Sequence, residues 1–362
     1  MPPIPSSKFL LIRLRRATTL LCGVLALWGA PVQSAPEHRL RIVGGLGALN
    51  QYRNNEEPFW TRELSRLSAG KFDADIVPFD RAGVPGGDLL RLIQLGVVPF
   101  GTSPLGALSA KYPEYNAPDL AGLNPDMASL KKAVTAFRPY LEKTLRERHG
   151  VETLALYIYP AQVIFCAKPM NSLADLAGRR IRVSSATQSD FVQALGGVPI
   201  LTGFAEIMGS MAAGNTECAI TGTMSGYTLG LHQITTHVHA LPVTWGLAIF
   251  GANLGAWTAL PPELRALLSH ELPKLEAAIW AESERETAQG LACSTGSPGC
   301  GVARAGGRMV EVAVSAQDER RRQEVFKSKV LASWLQRCGP RCAEIWNRTV
   351  GPVHGVMAPP TP

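Results

Sequence analysis

Strand-like and helix-like segments alternate along almost the whole chain, and this alternation limits the fold to a small set of α/β architectures. Residues 40–43 read as a strand that ends at Gly44-Gly45, and residues 58–67 as a helix with Phe59, Trp60, Leu64 and Leu67 at helical spacing. Residues 72–79 alternate as a strand, 80–87 form a turn-rich loop, and 88–95 a short helix closed by Gly96. A long amphipathic helix is expected over 127–148, ended by His149-Gly150. The pattern predicts an α/β chain with mainly parallel sheets.

A second α/β unit begins near Thr153. Residues 154–166 form a long strand pattern interrupted at Pro160, followed by Ile181-Arg182-Val183, a helix over 189–195, another over 205–213, and a strand at Cys218-Ala219-Ile220. Residues 243–257 are strand-like again, and Pro261-Pro262 opens a long helix reaching about Cys293, with proline at its first turn. No internal repeat and no long low-complexity linker separates the units. Two lobes exchanging more than one strand are therefore expected, with lobe I at 35–153 plus 243–285 and lobe II at 154–242 plus 286–335. Residues 336–362 are expected to form a C-terminal helix and tail.

The first 34 residues read as a removable leader. Lys8, Arg13, Arg15 and Arg16 precede an apolar run over 17–28, and Val32 and Ser34 supply small residues before a cut after Ser34. The run is too short to span a bilayer. The full chain carries 36 basic and 29 acidic residues, and without the leader's four basic residues the balance falls from +7 to +3. That weak excess gives no support to nucleic-acid binding, which needs a concentrated basic face. Six of the seven cysteines lie beyond the leader. An even number in an exported chain points to disulfides. Cys293/Cys300 and Cys338/Cys342 are close enough in sequence to close small loops, which leaves Cys166 and Cys218 for each other.

Several segments, in order, resemble the substrate-binding proteins of tripartite ATP-independent periplasmic (TRAP) transporters, of the dicarboxylate-binding type. They are Lys168-Pro169, Leu173-Ala174-Asp175-Leu176-Ala177-Gly178, Ile181-Arg182-Val183, Leu195-Gly196-Gly197-Val198-Pro199, Phe204-Ala205-Glu206 and Trp257-Thr258-Ala259-Leu260-Pro261-Pro262. The resemblance implies a two-lobe periplasmic-binding-protein fold with crossing strands and a long connecting helix. It also implies a receptor, not an enzyme, that closes on a small organic acid and hands it to TRAP membrane subunits, with no cofactor. Arg182 matches the family's carboxylate-gripping arginine, and a guanidinium fork suits that role because it offers paired donors to two oxygens. Arg179 and Arg180 read as a solvated turn. Where some members carry a second arginine this chain has Gln162, and where many carry an asparagine it has Thr221. Both are neutral hydrogen-bonding groups. The ligand is therefore expected to differ from the usual dicarboxylate, with Trp245, Phe100 or Tyr159 as candidate walls and Asn50 as a weaker contact.

Two other signals point elsewhere. Gly45-Leu46-Gly47-Ala48-Leu49-Asn50 opens like a dinucleotide fingerprint but lacks its third small residue, and reads better as a tight loop at a cleft mouth. His232, His237 and His239 offer the alternative of an exported metal-dependent enzyme, since imidazole is a common zinc ligand. No nearby acidic residue completes that set. A binding lobe feeding a signalling receptor is a third possibility. The run Glu319-Arg320-Arg321-Arg322 reads as a solvated helix face.

Overall fold

The computed structural model describes residues 38–301 and 306–359. The leader and its cleavage site lie outside these residues. Among the described residues, eleven strands form two sheets. In the first, β1 (His38–Gly44), β2 (Phe72–Pro78) and β3 (Phe100–Pro104) are joined by β4 (Val151–Ile158) and β10 (Leu247–Asn253), in the order β2-β1-β3-β10-β4. The second contains β5 (Gln162–Cys166), β6 (Arg180–Val183), β7 (Val198–Leu201), β8 (Cys218–Gly222), β9 (His237–Thr244) and β11 (Val310–Val312), in the order β11-β9-β5-β8-β6-β7.

The sheets are mixed. Pairing is parallel between β1 and each of β2 and β3, between β6 and each of β7 and β8, and between β9 and β11. It is antiparallel wherever β10 or β5 is involved. The reason is topological, because the chain crosses from one sheet to the other and returns. The outward crossing is Tyr159-Pro160-Ala161, between β4 and β5, and the return is Trp245-Gly246, between β9 and β10. Both lie a few residues beyond the expected exchange points. β4 continues as one strand of the first sheet to Ile158, and β9 stays in the second to Thr244.

A helix over Pro262–Thr295 packs against both sheets. Trp280 donates its indole N–H to Leu156 O and Ser283 donates to Ile158 O, both on β4. One turn beyond Ser283, Thr287 Oγ1 accepts from the amide of Ala161 in the crossing, and Thr223 beyond β8 donates to Glu286 O. Gly290 allows a close approach to the segment after β8, since a Cβ there would lie 2.2 Å from Met224 N. The cysteines pair as Cys166–Cys218, Cys293–Cys300 and Cys338–Cys342. The first bridges directly opposed residues of β5 and β8.

The basic run 319–322 is only partly solvated. Arg322 is buried, forks onto Glu319 and donates to the carbonyl of Gly122, so it ties a helix to a loop instead of facing water. Arg179 follows a turn and is half-buried, with its guanidinium on the carbonyls of Lys168 and Pro169, while Arg180 is the exposed first residue of β6 and not part of a turn.

Candidate ligand-binding site

A cavity of about 210 Å³ lies where both crossing segments meet the ends of β5, β6 and β8. It falls below the range of about 300–1,000 Å³ typical of sites for drug-sized molecules, which suits a ligand of few carbons. Leu46, Leu49, Phe79 and Phe204 form its apolar walls, and Tyr159, Gln162, Arg182, Ser184, Thr221 and Ser225 supply side-chain polar groups. Among the described residues, Arg182 is the one charged side chain in the lining.

Arg182 sits on β6 between buried Ile181 and Val183 and is itself 3 % exposed. Its Nε and Nη2 donate to Thr202 O at 3.1 and 2.9 Å, and Nη1 donates to Ile220 O at 2.8 Å. These bonds use three of the five guanidinium donors. They fix the plane of the fork without neutralising it, because both acceptors are backbone carbonyls. Burial lowers its pKa to about 10, opposed by the charge of Glu206, so the side chain stays cationic at neutral pH. A buried cation held only by carbonyls favours an incoming anion.

Gln162 opens β5 and Thr221 sits one residue before the end of β8, in one hydrogen-bonded ladder. Tyr159 lies in the outward crossing, and its buried hydroxyl has no hydrogen-bond partner among the described residues. Three expected contacts are placed elsewhere. Phe100 is 2 % exposed and packs in the core of the first sheet with Trp60 and Phe72. Trp245 is 3 % exposed and donates its indole N–H to Asn124 O at 3.2 Å, which turns the ring into the core. Asn50 donates its side-chain amide to Glu286. The loop before it does reach the cavity through Leu46 and Leu49. Two aromatic walls were not singled out from the sequence. Phe79 closes the expected strand 72–79, and Phe204 belongs to a segment already quoted for the family resemblance.

The Asn50–Glu286 contact ties the Gly45–Asn50 loop to the long helix. Burial, reinforced by Glu282, raises the Glu286 carboxyl to about 7 against the opposing bond from Asn50. A carboxyl with a raised folded-state pKa gives stability that is full below its unfolded value of about 4.3 and is lost as pH rises through about 7. Glu286→Gln is therefore expected to flatten the stability curve between pH 5 and 7. Relative to the variant, wild type should lose up to about 1.4 kcal/mol per pH unit in that window. Urea unfolding of both proteins at pH 5, 6 and 7 checks this, and parallel curves would refute it.

The three histidines do not converge. His232 stacks on Tyr227, and His237 bonds through Nδ1 to Thr236 Oγ1. His239 is fully buried, with Nε2 3.4 Å from Asp318, an acid 79 positions away that inspection of the neighbouring sequence does not find. Among the described residues no group of three or more His, Cys, Asp or Glu is arranged to hold a metal.

A family model described as bacterial extracellular solute-binding protein, family 7, matches residues 50–294. This chain belongs to that family. Family members are extracytoplasmic receptors, and solved structures among them share the fold described above. An extracytoplasmic solute receptor of Bordetella pertussis that binds pyroglutamic acid superimposes with a TM-score of 0.75 at 20% identity, over 86% of this chain and 98% of that one. A TRAP periplasmic solute-binding protein from Desulfovibrio salexigens, with bound orotic acid, gives a TM-score of 0.76 at 17% identity, over 88% and 98%. One from Sulfurospirillum deleyianum, with bound succinate, gives 0.74 at 15% identity, over 89% and 99%. At these identities the likeness establishes the two-lobe fold of the receptor.

Proposed function

We propose that this family member captures a small organic acid in the cavity at the crossing segments and delivers it to a TRAP-type membrane partner. The single observation that carries the reading is Arg182, a buried cation lining the cavity whose protein partners are backbone carbonyls. A carboxylate placed against the two remaining guanidinium N–H groups accepts paired, charge-assisted hydrogen bonds, which fix its orientation as well as its charge. Gln162, Thr221 and Tyr159 then complete the ligand's polar contacts. Lobe I is built on the first sheet and lobe II on the second, and closure shifts the balance between open and closed forms that the membrane partner reads. The leader ends after Ser34 and sends the protein to the periplasm. Solved relatives carrying pyroglutamate, orotate or succinate are in keeping with an organic acid.

The test is a thermal-shift screen of organic acids on protein refolded from denaturant to strip endogenous ligand. Binding to native protein alone raises the melting temperature by mass action, so a carboxylate at about 100 times its Kd adds about 2.7 kcal/mol. At least one carboxylate is expected to produce such a shift. Stabilisation by neutral sugars or amines, with none by carboxylates, would sink the reading.

A further inference from the structure

The polar end of the cavity is built on a chain of side-chain amides whose orientation is fixed by a backbone group. Gln188, on the helix Ala186–Ala194, accepts the main-chain N–H of Ser184 through Oε1 at 2.8 Å. A main-chain N–H only donates, so this contact determines which end of the Gln188 amide is oxygen. Its Nε2 must then face the other way, where it donates to Gln162 Oε1 at 2.8 Å and to Thr244 Oγ1 at 2.7 Å. Gln162 is oriented in turn. With its oxygen turned to Gln188, its Nε2 is the end left over, and no protein acceptor for it is found among the described residues. That nitrogen lies beside Gly246 in the return crossing, so close that a Cβ there would be 2.5 Å away. Glycine at 246, with φ of +81°, leaves the amide the room to lie there.

The cavity therefore offers one fixed cation at Arg182 and one fixed neutral donor at Gln162. The other polar side chains lining it are hydroxyls, which donate or accept as required, and no acidic side chain lines it among the described residues. We infer that the receptor selects monocarboxylates bearing a neutral hydrogen-bond acceptor, a ketone, lactam or amide carbonyl, placed to meet Gln162 Nε2. It discriminates against dicarboxylates and against amino-acid zwitterions. A second carboxylate would be desolvated without a counter-ion, an ammonium would find no carboxylate, and an acid lacking the acceptor would leave the Gln162 amide buried and unpaired. This selectivity rests on the proposed carboxylate capture by Arg182 and adds what the remainder of the ligand must be.

Two series of matched size test it by titration calorimetry on stripped protein. One is pyroglutamate, cyclopentanecarboxylate and proline, and the other is 4-oxopentanoate, pentanoate and glutarate. In at least one series the carbonyl acid should bind about tenfold or more tighter than its acceptor-free partner, with proline and glutarate weaker still. Gln162→Met keeps the side-chain length but removes the donor. It should bring the ratio of carbonyl acid to acceptor-free acid close to one, a ratio that a general loss of stability would leave unchanged. Glutarate binding as tightly as 4-oxopentanoate, or an unchanged ratio in Gln162→Met, overturns the inference while leaving organic-acid capture intact. No binding by any of the acids, with neutral compounds binding instead, overturns both.

Discussion

Arg182→Ala is expected to lower affinity for the best carboxylate of the screen by at least about 100-fold, measured by calorimetry. A desolvated, paired charge contact is worth about 2–5 kcal/mol when one partner is cut away. The ligand-free protein should respond quite differently. The variant loses three hydrogen bonds to Thr202 and Ile220, which are worth about 1.5–3 kcal/mol apiece, but it also loses a buried cation that forms no ion pair among the described residues and feels only the charge of Glu206. The two effects oppose each other, so the melting temperature without ligand should move by only a few degrees, while the ligand-induced rise disappears. A variant that unfolds with the wild type and binds within tenfold of it would remove Arg182 from the site. A variant that fails to fold is distinguished by its far-ultraviolet circular dichroism, and Arg182→Lys then serves instead. That variant keeps the charge but loses the fork, and should still lose most of the affinity.

The second large effect concerns a place remote from the ligand. Gly290→Ala should destabilise the protein by about 3 kcal/mol, seen as a lower urea midpoint with an unchanged slope. The added methyl would sit 2.2 Å from Met224 N and 2.3 Å from Thr223 C, which are backbone atoms with no rotamer to change. The long helix must then move away from the segment that follows β8. Gly209→Ala is the matched control, because a Cβ at that helical glycine meets nothing within 4 Å. It should be neutral or stabilising by up to about 1 kcal/mol. A loss below about 1 kcal/mol at Gly290 would mean that the helix packs less tightly than described. Thr221 lies two residues before Thr223, so ligand affinity should fall in Gly290→Ala as well.

The elements were legible because their signals are local. The alternation at 72–79, the capped amphipathic run ending at Gly150 and the proline-opened helix at Pro262 each carry their evidence within one segment. The cysteine pairs followed from spacing and from what was left over. The candidate site was legible only in part. Arg182 was found through the family resemblance, and its place in a strand agrees with the alternation of Ile181 and Val183. Phe100 and Trp245 were misplaced as walls because a large apolar side chain satisfies the same pattern in a core as in a cavity. Gln188 and Asp318 were missed for a different reason. Each acts on a partner from another element, Gln188 on Gln162 and Asp318 on His239, and no periodicity within one segment encodes such a pairing. Arg322 shows the same limit, since a charged run looks solvated until another loop covers one of its members.

The order of strands also dictates when this protein can begin to fold. β10 lies between β3 and β4, so the first sheet stays open until residue 253 has been made, although four of its five strands precede residue 159. The second sheet gains its outer strand only at Val310–Val312. A chain interrupted anywhere before the return crossing therefore holds two incomplete sheets with exposed edges, and no half of it is a unit that folds first. Such late closure keeps the first lobe open through most of synthesis, because the strand that completes it is the tenth of the eleven among the described residues.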